Sequence, residues 1–102
     1  MKRPYAETID EFADRAVSAG LFPSKNEFLK TLMNQMAGTE MARYRREISR
    51  YKKKYGSFEQ FTKKLENKAD VRQEDEWMEW ESARNLLSRW EKAVKELGLS
   101  AL

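Results

Sequence analysis

The sequence predicts an all-α protein: an N-terminal helix pair, then a long heptad helix and a C-terminal helix forming an antiparallel hairpin, the whole being dimeric. Three observations carry this reading. Apolar residues recur at spacings of three and four through most of the chain. Gly20, Gly56 and Gly98 each stand just past such a segment, where helices end. No stretch alternates apolar and polar residues long enough to make a strand, except that residues 2–8 could form a short edge strand weakened by Pro4.

The first helix is expected from about Ala6 to Ala19, with Ile9, Phe12, Ala13, Ala16 and Val17 on one face. Pro23 disfavours helix at Phe22, and Ser24 with Glu27 forms a capping-box signature, so the second helix starts near Lys25. Its apolar positions are Phe28, Leu29, Leu32, Met33 and Met36. Gly38 costs about 1 kcal/mol relative to Ala in a helix; it marks a kink, or the helix runs through it. Beyond it Met41, Tyr44, Ile48, Tyr51 and Tyr55 follow a heptad seam. Gly56 stops that helix, and Ser57 with Gln60 caps a short third one carrying Phe58, Phe61 and Leu65.

Residues 67–73 lack periodicity and read as a loop, so the last helix is expected from about Glu74 to Leu97. Trp80, Leu87 and Val94, with Ala83, Trp90 and Leu97, set its seam, and Trp77 and Leu86 widen the stripe. Two segments follow: residues 1–38, a dimerising helix pair, and residues 39–102, a hairpin for partner binding.

Apolar residues make up 40% of the chain and charged residues 36%, a polar balance that suits elongated helices with broad wet faces. Such a chain completes its core by association, because small domains bury a low fraction of their surface. The sequence has neither cysteine nor histidine, which removes disulfides, thiolate metal sites and the commonest general base. The carboxylate pairs Asp75/Glu79 and Glu76/Glu79 share a helix face, yet no nucleophile or base accompanies them, so they read as solvated acids matched to the helix dipole. A non-enzymatic protein with no cofactor and no metal is the expectation. No apolar run nears the roughly 20 residues that span a bilayer. The basic start Met1-Lys2-Arg3-Pro4 lacks the apolar segment of a signal peptide, so no membrane is involved and a cytoplasmic location is expected.

Charge is distributed unevenly. Residues 43–54 hold seven Lys or Arg against Glu47, whereas residues 74–81 hold five acids and no base. An antiparallel hairpin sets these segments side by side, where exposed pairs worth tenths of a kcal/mol select register without driving the fold.

Two recognition surfaces follow. Tyr55, Glu74, Asp75, Trp77, Glu79, Trp80 and Glu81 combine aromatic and acidic groups in the pattern of a protein-binding site for a basic partner. Trp80 and Trp90 also suit the hairpin core, which leaves Trp77 and Tyr55 as the better contact residues. The second surface would bind DNA: Ser24, Lys25 and Asn26 at a helix start suited to anions, with Arg43, Arg46, Arg50 and Lys53 on the basic run. Tyr44 and Tyr51 fall on the seam, where they cannot stack on bases.

Residues 20–28, Gly-Leu-Phe-Pro-Ser-Lys-Asn-Glu-Phe, resemble the turn between the helices of ribbon-helix-helix repressors and antitoxins, and the similarity extends over the helix pair 9–36. The resemblance implies phosphate contacts by Ser24, Lys25 and Asn26, although Pro4 interrupts the place of that family's base-reading strand. Residues 43–90, with Lys54-Tyr55-Gly56, Ser57-Phe58-Glu59-Gln60-Phe61 and Asp75-Glu76-Trp77-Met78-Glu79-Trp80-Glu81, resemble small helical antitoxins of bacterial and archaeal toxin–antitoxin systems. That similarity implies an antitoxin-like protein that neutralises a partner toxin through its C-terminal helices. The alternatives are a DNA-binding transcriptional regulator and a helical oligomeric scaffold with neither activity.

Overall fold

Each helix of this chain begins on a side chain that accepts a backbone N–H which the first turn leaves unpaired. In a computed structural model describing residues 8–68 and 70–100, Thr8 caps α1 (Ile9–Ser18) by accepting from the Glu11 N–H at 3.1 Å. Ser24 caps α2 (Lys25–Tyr55) through the Glu27 N–H at 3.2 Å. Ser57 and Gln60 close a reciprocal capping box on α3 (Phe58–Asn67). Asp70 caps α4 (Val71–Glu96), accepting from the Gln73 N–H at 2.8 Å. Among the described residues there is no strand. The edge strand considered for residues 2–8 lies outside them, apart from Thr8.

The last helix therefore begins at Val71, not near Glu74, and residues 71–73 are helical. Asp70 followed three residues later by Gln73 is itself a capping signature, and it outweighs the missing apolar period. As a result, of the acids between 74 and 81 only Glu74 lies in the first turn, where the dipole is felt.

Helices α1 and α4 end alike. The Leu21 N–H reaches the Ala16 carbonyl at 3.0 Å and the Leu99 N–H reaches the Val94 carbonyl at 2.9 Å, a six-to-one closure around a left-handed glycine. Because the chain reverses at Gly98, Leu99 packs on the core and Leu97 is 55% exposed. Leu97 thus falls off the seam expected for it, since the helical period ends one residue earlier. Gly56 terminates α2 with φ +83° and ψ −144°, backbone that only glycine adopts without strain.

Gly38 does not break α2 into two helices, and it is exposed. The helix thus runs unbroken across residues 38 and 39, where the sequence suggested a division.

Two apolar clusters align α2 with α4, and residue numbers run in opposite order along the pair. One joins Ala37 and Met41 to Val94, with Leu87, Trp90 and Leu99 around them. The other joins Tyr51 of α2, Phe61 of α3 and Trp80 of α4. Helix α1 packs on the N-terminal part of α2, tied by Lys25 to Asp10 at 3.0 Å and to Asp14 at 2.8 Å. The result measures 61 × 32 × 19 Å with a radius of gyration of 19.8 Å, against about 13 Å for a compact chain of this length.

Two glycine substitutions should move stability in opposite directions. Gly38→Ala is expected to stabilise by about 0.5–1 kcal/mol, the propensity difference at an exposed helical site. Gly56→Ala should destabilise by about 1–3 kcal/mol, because its Cβ would stand 2.8 Å from the Gln60 Oε1 that holds the α3 cap. Urea unfolding monitored by circular dichroism measures both.

Candidate interaction surfaces

The aromatic residues assemble first, because α3 lies across one end of the α2–α4 pair. Trp80 has no accessible surface. Its ring stacks on Tyr51 at 5.7 Å and Phe61 at 5.9 Å and meets the edge of Phe58 at 5.2 Å. Its indole N–H is buried without a hydrogen-bond acceptor among the described residues, a cost accepted for the ring's apolar area. A residue so enclosed offers a partner no surface, so Trp80 supports the site from beneath. Tyr55 stacks on Phe61 at 3.9 Å. Trp77 is half-buried, stacked on Phe58 at 5.6 Å, and its indole N–H donates to the Thr62 hydroxyl at 2.8 Å. Both are thus committed to the fold and keep only part of each ring for contact.

The acidic cluster divides by direction. Glu76 accepts both 3.0 Å hydrogen bonds of the Lys54 ammonium, and Glu79 accepts a short hydrogen bond from the Tyr51 hydroxyl. These two carboxylates secure α4 to α2. Glu74, Asp75 and Glu81 make no ion pair among the described residues; Glu74 and Asp75 are exposed and Glu81 is half-buried. Beside them Met78 is 62% exposed. A shallow hollow of about 350 Å³ lies along this face of α4, lined by Trp77, Met78, Glu81, Leu86 and Arg89. Met78 is a surface residue that the charge pattern concealed, because it sits inside the acidic run.

The residues considered for DNA contact also divide. The Ser24 hydroxyl is occupied by the Glu27 N–H and the Lys25 ammonium by Asp10 and Asp14; Asn26 is exposed beside them. Its hydrogen bonds to the carboxylates of Asp14 and Asp10 hold Lys25 protonated above its usual range. Along α2, Arg43 donates to the Tyr44 hydroxyl at 2.9 Å and Arg50 to the Tyr51 hydroxyl at 3.2 Å, each guanidinium 4.9 Å from the neighbouring ring centre. Arg46 and Lys53 are exposed and make no ion pair among the described residues. The two groups of residues are separated by roughly 30 Å of the same helix.

At the other end of the molecule α1 and the start of α2 leave an apolar surface. Ile9, Phe12 and Leu21 are more than half exposed, and Leu29, Leu32 and Met36 remain at 36%, 37% and 47% exposed. The ten-residue α1 is too short to cover the apolar face that α2 presents. Among the described residues, no group of three acidic side chains is placed to hold a metal ion, and no helix is long and apolar enough to cross a membrane.

Compared with family models, curated proteins and solved structures, the chain finds no match.

The Glu76 carboxyl predicts an acid-side effect. Partial burial pushes its pKa up, but hydrogen bonds from Lys54 and Tyr55 and the charges of Lys54 and Arg72 outweigh that and hold it below the usual carboxylate range. A lowered folded-state pKa contributes stability at neutral pH that is lost as pH falls through it. Glu76→Gln should lower the melting temperature at neutral pH and flatten its decline under acid, as read by calorimetry across that range.

Proposed function

We propose that this chain is a non-catalytic cytoplasmic binding protein that captures and restrains a partner protein, as an antitoxin holds its toxin. The observation that carries the reading is the outward face of the first half of α4. There Met78 and part of the Trp77 ring lie among Glu74, Asp75 and Glu81, whose charges are not used within the fold. Aromatic and thioether groups give a partner contact area at a central position. Surrounding carboxylates select a basic partner surface and speed its approach. The resemblance of residues 43–90 to small helical antitoxins supplies the class of partner.

In this reading the α2–α4 antiparallel hairpin is the scaffold of the capture surface, and the aromatic cluster holds that surface rigid. The N-terminal pair joins two copies through Ile9, Phe12, Leu29, Leu32 and Met36. An exposed apolar stretch of this kind, on one end of an elongated chain, supports an interface over a solvent-facing role.

Two measurements test the parts separately. The chain should co-purify with the product of a neighbouring gene, and Asp75→Lys with Met78→Lys should weaken that complex at least tenfold while leaving the helical spectrum unchanged. Equal affinity in that double variant would remove the α4 face from the reading. In sedimentation the wild-type chain should run as a dimer, and Leu32→Glu with Met36→Glu as a monomer.

A further inference from the structure

We propose that the back of α2 is a second docking surface, one that takes the phosphate backbone of duplex nucleic acid without reading sequence. It is separate from the α4 capture face and does not depend on it. Arg43, Arg46, Arg50 and Lys53 follow one another at three, four and three residues, so they line one side of the helix over about 15 Å. The opposite side of the same turns carries Met41, Tyr44 and Tyr51 into the core.

The acidic helix α4 neutralises the flanks of the basic run and leaves this line open. Arg45 reaches Glu91 at 3.8 Å and Lys54 reaches Glu76 at 3.0 Å. Of the four cations on the line, Arg43 alone has an acidic partner, Glu40 at 2.9 Å. Arg43 and Arg50 repeat one device a heptad apart: each guanidinium lies over the next tyrosine's ring and donates to its hydroxyl. Those hydroxyls belong to buried rings, so the two guanidinia are held about 10 Å apart along the axis, and both residues remain exposed. A pre-positioned guanidinium suits bidentate phosphate binding.

The composition of the face selects its occupant. Beside the cations on this side of the helix stand Thr39, Ala42 and Ser49, and no large apolar side chain. A protein partner would find no hot-spot anchor here, whereas small residues beside cations let a phosphate backbone approach closely. Tyr44 and Tyr51 are buried and cannot stack on unpaired bases, which favours duplex over single strand. The acids on its border are Glu40, paired with Arg43, Glu47 in the shallow hollow beside Arg43, Arg46 and Arg50, and Glu79, which accepts from the Tyr51 hydroxyl that Arg50 also contacts.

The test is fluorescence anisotropy of a labelled duplex of arbitrary sequence, titrated with the full chain at several salt concentrations. Four phosphate contacts give a log–log slope of about −3 to −4. Arg46→Ala with Lys53→Ala, two side chains that make no ion pair in the fold, should weaken low-salt binding at least tenfold and bring the slope near −2. The variant Asp75→Lys with Met78→Lys should still bind the duplex, which keeps failure of the capture reading distinguishable from failure here. Four results would overturn the proposal: no binding at low salt, binding unchanged by the Arg46/Lys53 variant, tighter binding to single strand than to duplex, or salt-sensitive self-association through this face in place of duplex binding.

Discussion

Trp80 is where three helices meet, and the form of the molecule follows from it. Tyr51 arrives from α2, Phe58 and Phe61 from α3, and all three contact the one indole. Removing the ring would open a cavity where α3 meets both long helices, a change that in protein cores costs about 3–5 kcal/mol. The capping box at Ser57 and the left-handed Gly56 serve that contact as well. They turn the chain within a few residues so that Phe58 and Phe61 face the α2–α4 pair. Farther along, the second cluster is thinner, with Ala37, Met41 and Val94 at its centre. The molecule is accordingly anchored at the α3 end and lightly joined toward the other.

Charge acts after packing, and its contribution is direction. Lys54 with Glu76 and Arg45 with Glu91 lie on the margins of the apolar seam, partly exposed, where each pair is worth tenths of a kcal/mol to about 1 kcal/mol. They agree with one register of α4 on α2 and disfavour its shifts. The same arrangement separates the surfaces. Carboxylates turned toward α2 are consumed, and those turned outward give α4 an acidic face. On α2, Arg45 and Lys54 are consumed by α4, and Arg46 and Lys53 behind the seam are not. One primary structure thereby displays opposite charge on the outer faces of two adjacent helices.

Much of the fold could be read from periodicity and caps. Ser24, Ser57, Gly56 and the seam from Met41 to Tyr55 placed α2 and α3 correctly, since each rests on local chemistry that no distant contact overrides. Two features were harder. The start of α4 was hidden because Val71, Arg72 and Gln73 carry no apolar period, while the polar cap at Asp70 determines the boundary. The roles of Trp77 and Tyr55 were hidden because heptad position says which side of a helix a residue lies on, and only the placement of α3 says what covers it. The candidate surfaces were legible in residue type more than in orientation. The sequence showed a cluster of acids, and the fold separates those that bind Lys54 and Tyr51 from those that face water.

The continuity of α2 through Gly38 has a geometric consequence. Each residue advances an α-helix by about 100° and about 1.5 Å, so α2 acts as a shaft that fixes the azimuth of one end against the other. A single residue inserted near Gly38 would rotate the apolar N-terminal surface by about a quarter turn relative to Arg46 and Trp80, and would carry either Ala37 or Met41 away from Val94. Seven inserted residues would nearly restore the phase. The length of this helix is thus constrained in steps, and the relation between the two ends of the molecule is an angle as much as a distance.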